Sequence, residues 1–156
     1  MTDTVETRLR AMGIELPTPV LPAANYLPYV LVDTQLFLSG QLPIASDGSM
    51  YTGKLGADLS VEQGQAAARA CAINILAQAR AAIGDLERVR QCMRLTGFVN
   101  ATADFAEQAA VINGASDLMG KVFGERGRHT RAAVGCASLP FGAAVEIDAI
   151  FIVEAA

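Results

Sequence analysis

Arg131 and Glu146 stand in two neighbouring runs that are otherwise almost uncharged, RAAVGCASLPFG and AAVEIDAIFIV. A charged side chain in so apolar a stretch needs a partner or a task. A guanidinium offers a planar fork of donors that matches a carboxylate, and a nearby carboxylate can orient or deprotonate a water. Together they suit a ligand site. They also suit a structural ion pair at a strand edge or oligomer interface, and the pattern alone leaves both readings open.

The elements that carry them read as strands. From Val145 to Val153 the residues alternate, with Val145, Ile147, Ala149, Phe151 and Val153 on one side and Glu146, Asp148, Ile150 and Ile152 on the other. Arg131 to Ser138 reads as an antiparallel partner strand, with LPFG as the turn, which would bring Arg131 and Glu146 into one neighbourhood. Asp148, on the face of Glu146, is an alternative acid or an edge charge. Upstream, Val5 to Met12 fits a short helix, and Tyr29 to Val32 and Leu36 to Gln41 fit two strands joined at Asp33 and Thr34. The stretch LPIASDGSMYTGKLGADL then reads as a surface loop, because DG and TG mark turns. Ser60 and Gln63 form a capping box for a helix from Val61 to Ile83 that Gly84 ends. CMRLTGFVN is a central strand in which Gly97 marks a bulge or a close approach. A second helix follows, whose main segment Asn113 and Gly114 interrupt or begin. The order is strand, strand, helix, strand, helix, strand, strand. Two helices can cover one face of such a sheet, and the other face has few polar residues, so it calls for a partner.

Composition narrows the function classes. The 156 residues are 52% hydrophobic with a mean hydropathy of +0.33, which points to one domain, residues 1–156, with a sizeable core and a tendency to self-associate. A net charge of -4 and no Lys/Arg stripe argue against nucleic acid as a partner, although Arg126, Arg128, His129 and Arg131 cluster closely enough for a small anion. No run is long enough to span a membrane and the N-terminus lacks the marks of a secretory signal, so the expected location is cytoplasmic. Cys71, Cys92 and Cys136 are odd in number and widely spaced, suggesting neither disulfides nor a metal cluster. They read as small hydrophobes. One histidine, His129, excludes a His-rich metal site and argues against a Ser/His/Asp triad.

From about Pro22 to Val153 the chain resembles the Rid or YjgF family, the reactive-intermediate deaminases also known as endoribonuclease L-PSP proteins. The resemblance rests on the order and spacing of PAANY at 22–26, SGQLP at 39–43, AAARACAINILAQARAAIGDLERV, FVNATADFAEQAAVIN ending at Asn113, and Arg131 followed by LP at 139–140 and VEIDAI at 145–150. It implies an α+β, chorismate-mutase-like subunit, a mixed sheet with two helices packed on one face, preceded here by an N-terminal extension at about 1–20. It further implies a homotrimer with three clefts between subunits and no cofactor or metal. In such a cleft Arg131 would grip the carboxylate of a 2-imino or 2-keto acid, and Glu146 would handle water or protons. Residues matching Tyr26, Ser39, Gly40 and Asn113 line the cleft in active relatives, and backbone groups at Gly135 and Cys136 could orient the imine or water. The implied reaction converts a 2-imino or enamino acid to the 2-keto acid and ammonia. Other readings remain. Tyr26 could simply pack, Asn113 could cap a helix, and Ser39 and Gly40 could only shape a bend. The whole protein could bind a small carboxylate without turning it over, and RNA cleavage lacks a second histidine. Ala133 stands where many active members have cysteine, serine or threonine.

Overall fold

The computed structural model describes residues 2–19 and 21–156. Helix α1 (Val5–Ala11) starts at a reciprocal capping box between Thr4 and Thr7 and buries Val5 and Leu9. Strands β1 (Tyr29–Val32) and β2 (Gln35–Gln41) form a hairpin through Asp33, whose φ of 54° lies in the left-handed region that short polar residues tolerate. Helix α2 (Val61–Ile83) begins where Gln63 N donates to Ser60 Oγ at 3.1 Å and Ser60 N donates to Gln63 Oε1 at 2.8 Å, and it stops at Gly84. Then come β3 (Val89–Asn100), α3 (Gln108–Phe123), β4 (Thr130–Cys136) and β5 (Val145–Val153).

The five strands form one sheet in the order β1-β2-β5-β3-β4, with β4 parallel to β3 and every other pair antiparallel. Helices α2 and α3 cover one face, sealing Leu36, Leu95, Ile147 and Phe151 against Ile75, Leu76, Ile112 and Met119. Each such side chain contributes about 1.5–3 kcal/mol on full burial. The buried alanines of α2, among them Ala67, Ala68, Ala72 and Ala79, contribute less area and instead let the helix lie close to its neighbours. This is the α+β mixed sheet with two helices on one face that the sequence implies. No helix among the described residues is long and apolar enough to cross a membrane.

Three expectations need correction. β4 does not pair with β5, because β3 lies between them and pairs with both. Residues 137–144 carry the chain over the end of β3, a span long enough to skip one strand at a spacing of about 4.8 Å. Asn113 and Gly114 neither interrupt nor begin α3, which runs through both from Gln108. Gly114 is there because a Cβ at that position would stand 2.1 Å from Gln65 O of α2, so only glycine lets the two helices approach this closely. Residues 42–59 do not form a free surface loop. Asn74 Nδ2 donates to Leu42 O and Ile44 O, Leu55 N donates to Asn100 O, and Leu55 is fully buried. Gly97 proves to be a close approach, since a Cβ there would meet Ile112 at 2.5 Å, while the irregularities of β3 fall at Val89/Gln91 and Cys92/Arg94.

Candidate functional site

The sheet sorts the candidate residues onto two faces. Gly97 faces Ile112 of α3, and its register partner Ile147 is buried on the same side, so Glu146, one residue along, projects to the open face. Arg131 pairs with Leu95 and therefore points to the helix side of edge strand β4. Within one chain Arg131 and Glu146 are separated by the sheet itself.

On the helix side, Arg131 is held by α3. Its Nη1 donates to Asn113 Oδ1 at 2.9 Å and to Ser116 Oγ at 3.1 Å, and Nη2 donates to Ala109 O at 3.4 Å. A guanidinium has five N–H donors, so two remain without a partner among the described residues. Ser116 also meets His129 Nε2 at 2.9 Å, and His129 Nδ1 lies 2.7 Å from Gly127 O, a carbonyl that can only accept. Neutral His129 therefore carries its proton on Nδ1 and accepts from Ser116 at Nε2. The rest of the basic cluster is occupied, Arg126 by Glu87 at 3.2 Å and Arg128 by Glu125 at 3.4 Å. Arg131 alone of the three arginines has no carboxylate among the described residues.

On the open face, Glu146 lies under Gly40. Ser39 and Gly40 fall at a register shift between Leu38 and Gln41, and this bulge turns Gly40 toward the carboxylate. A Cβ on Gly40 would sit 2.3 Å from Glu146 Oε1. Ser39 N donates to Pro28 O and Ser39 Oγ donates to Leu27 O at 2.6 Å, which ties the turn bearing the exposed Tyr26 to the same strand. Burial, then the Asp148 carboxylate on the same face, pushes the Glu146 pKa above the ordinary glutamate value. Gly40→Ala is accordingly expected to displace the carboxylate while leaving the rest of the sheet folded. Its activity should fall far more than its melting temperature, a comparison that steady-state kinetics and thermal denaturation make directly.

A third group gathers where β3 and β4 end. Asn100 is buried, its Nδ2 donating to Gly53 O and Ala143 O and its Oδ1 accepting from Lys54 Nζ at 2.8 Å. Lys54 also donates to Ala137 O, which places its ammonium in a cleft lined by Gly135, Cys136 and Gln108. Sequence reasoning missed Lys54 and Asn100. The polar run 42–59 carries no chemical motif, and only its docking onto the end of β3 delivers the lysine. The Cys136 thiol is raised by burial and by Glu146 against an opposing pull from Lys54, and Cys71 and Cys92 are pushed up by burial, Cys92 to about 12. Thiols so disposed stay protonated at neutral pH and are poor nucleophiles. No group of His, Cys, Asp and Glu among the described residues is arranged to hold a metal.

Residues 6–151 match the family model "YjgF/chorismate_mutase-like, putative endoribonuclease". The chain belongs to this family. It is 54% identical to Protein TCP17 of Trypanosoma cruzi over 147 residues, 94% of this chain and 92% of the relative. Among solved structures it is 50% identical to Atu1372 from Agrobacterium tumefaciens, a protein of unknown function, with a TM-score of 0.91 over 97% of this chain and 94% of the other. It is 38% identical to a "putative endoribonuclease" from Shewanella oneidensis MR-1, with a TM-score of 0.93 over 97% of this chain and all of the other. RidA from the Antarctic bacterium Psychrobacter sp. PAMC 21119 is 25% identical, with a TM-score of 0.60 over 87% of this chain and 94% of the other. Membership in the RidA/YjgF superfamily follows, and its members carry names of quite different activities.

Within the YjgF family pattern, the structure brings Asn113 to Arg131 and Gly40 to Glu146, with Ser39 beside Gly40 and Tyr26 exposed on the turn that Ser39 ties down. It does not join these two sets in one chain. Gly135 faces Gln108 on the helix side and Cys136 falls on the other, near enough to feel Glu146. Ala133 sits between Arg131 and Gly135 on the helix side of β4, partly buried against the core.

Proposed function

We propose that this protein hydrolyses a 2-imino acid to the 2-keto acid and ammonia in a cleft built by two copies of the chain within a homotrimer. The observation that carries this reading is the division of the candidate residues between opposite faces of the sheet. Only a second copy can set the Arg131 edge of one protomer against the Glu146 face of another. An apolar row crosses the open face, Val30 to Phe37 to Ile150 by register, with Val30 and Phe37 exposed by 44% and 40%. Exposed apolar surface of this kind marks association.

In this reading the two free donors of Arg131 take the substrate carboxylate, and Asn113 and Ser116 hold the guanidinium in place without spending binding energy on its ordering. Glu146 accepts a proton from a water as the water oxygen bonds to the carbon of the protonated imine and the C=N π pair moves to nitrogen, giving a tetrahedral carbinolamine. Glu146 then gives the proton to the amine nitrogen. Ammonia leaves with the C–N bonding pair as the hydroxyl oxygen forms the C=O bond and its proton passes to the ionised Glu146. The raised pKa makes Glu146 a stronger base than a solvated glutamate, provided that it is ionised. A trimer that only binds carboxylates is the second reading, supported by the fact that Arg131 is preorganised independently of any reaction.

Subunit complementation tests the proposal. Arg131→Ala and Glu146→Gln are each expected to be nearly inactive alone. Trimers re-formed from an equal mixture should regain about a quarter of wild-type activity, because that share of clefts receives both intact halves. No recovery in trimers shown to be mixed would overturn the shared cleft, and a monomer at micromolar concentration in sedimentation equilibrium would do so earlier. Wild-type trimers that bind 2-keto acids but accelerate no imine would establish the binding-only reading.

A further inference from the structure

The side chains behind Arg131 form a hydrogen-bond chain that runs in one direction. It begins at the guanidinium, which can only donate: Nη1 gives one hydrogen to Asn113 Oδ1 at 2.9 Å and the other to Ser116 Oγ at 3.1 Å. It ends at Gly127 O, which can only accept and lies 2.7 Å from His129 Nδ1. Between these ends Ser116 Oγ meets His129 Nε2 at 2.9 Å. Both ends being fixed, each proton has one place. His129 Nδ1–H lies on Gly127 O, and the Ser116 hydroxyl hydrogen lies on Nε2, which leaves the lone pairs of Oγ to Arg131. The other neutral tautomer would set two acceptors, Nδ1 and Gly127 O, face to face at 2.7 Å. Helix α3 holds both ends. Ala109, Asn113 and Ser116 fall on one of its faces, four and three residues apart. Gly127 is buried against the same helix, where a Cβ would stand 2.1 Å from Met119 O.

We infer that His129 is a positioning residue which, acting through Ser116, sets which donors of Arg131 face the ligand. The inference rests on the reading that Arg131 takes the substrate carboxylate. Asn113 and Ser116 occupy Nη1 and Ala109 O takes one hydrogen of Nη2, so the pair left for a carboxylate is on Nε and Nη2. Without an acceptor at Ser116 an Nη1 hydrogen is released, the guanidinium turns about its remaining contacts, and the fork that a planar carboxylate requires loses its aim. His129 stands one step behind. A helical serine left to itself turns its hydroxyl back to the carbonyl one turn earlier. By accepting that hydrogen, His129 holds Oγ toward Arg131 instead. The one histidine of the chain thus belongs neither to proton transfer nor to a basic patch, since Arg126 and Arg128 are taken by carboxylates of their own.

Calorimetric titration of the full chain with 2-keto acids, alongside the kinetics of imine turnover, tests the assignment. Ser116→Ala and His129→Leu should each weaken the keto acid by about tenfold. His129→Gln should stay within about threefold of wild type, because its Oε1 replaces Nε2 as the acceptor for Ser116. The double variant Ser116→Ala/His129→Leu should be no weaker than Ser116→Ala alone, since His129 acts only through the serine. Arg131 grips the carboxylate before and during the reaction alike, so the loss should fall on KM and leave kcat nearly unchanged. Nitrogen NMR of the imidazole should find the proton on Nδ1. Melting curves verify that each variant is folded. Losses that add in the double variant, His129→Gln as weak as His129→Leu, a fall in kcat in place of KM, or a proton on Nε2 would overturn the inference. If His129→Leu binds as wild type does while Arg131→Ala does not, the positioning role fails and the carboxylate reading stands. If the wild type binds no keto acid, or Arg131→Ala binds it equally well, the reading fails and this inference with it.

Discussion

Glu146→Gln is expected to slow the proposed imine hydrolysis by about 10²–10⁴-fold, the usual contribution of a positioned general base, while preserving the proposed trimer. Glutamine keeps the shape under Gly40 and removes only charge and basicity. Stability should not fall, and its pH dependence has a definite sign. The folded-state pKa of Glu146 lies above its unfolded value, because burial and then Asp148 disfavour the anion. Ionised Glu146 therefore costs stability above its folded pKa, a cost that disappears as pH falls below the unfolded value. Glu146→Gln removes that cost at neutral pH. The rate has the opposite dependence. Base catalysis needs the carboxylate, so activity should fall on acidification through a pKa above the ordinary glutamate range. Asp148→Asn, which removes a like charge, should move that acidic limb to lower pH. The measurement is initial rate against pH, using an imine generated in situ by an amino-acid oxidase and corrected for spontaneous hydrolysis. A Glu146→Gln enzyme as fast as wild type would remove Glu146 from proton transfer, and an unmoved limb in Asp148→Asn would assign that pKa elsewhere.

Arg131→Ala should weaken 2-keto acid binding by on the order of 2 kcal/mol or more, about thirtyfold, because it deletes the charged partner proposed for the ligand carboxylate. Titration of the parent and the variant with a panel of 2-keto acids measures it directly. Arg131→Lys should not restore the affinity. One ammonium on a flexible stem cannot reach Asn113, Ser116 and Ala109 and still present two parallel donors to a ligand. That failure separates ligand recognition from simple loss of positive charge at the β4 edge. Arg131 also binds α3, so the variant is expected to melt somewhat lower. Equal keto-acid affinity in a folded Arg131→Ala trimer would leave the residue with its helix-anchoring role alone.

The sequence by itself determined the elements of this protein wherever the cause is local. Ser60 and Gln63 start α2 because the capping box spans three residues, and Gly84 ends it. The alternation from Val145 to Val153 makes β5 and sends Glu146 to the face opposite the core, a consequence of the two-residue period that no neighbour can change. The order and spacing of PAANY, SGQLP, the two helical segments, and Arg131 with LP and the VEIDAI run together sufficed for the family, and with it the fold. Tertiary structure alone decided which strands touch. Residues 137–144 are long enough either to turn back or to cross β3, and the choice depends on Asn100 and Lys54 receiving the crossing chain, contacts about 40 residues or more away in sequence. The same non-local packing turned Gly40 onto Glu146 and locked Arg131 to α3. Local propensity cannot encode such pairings, because their free energy comes from surfaces that meet only once the sheet, the helices and the long strap have closed on one another.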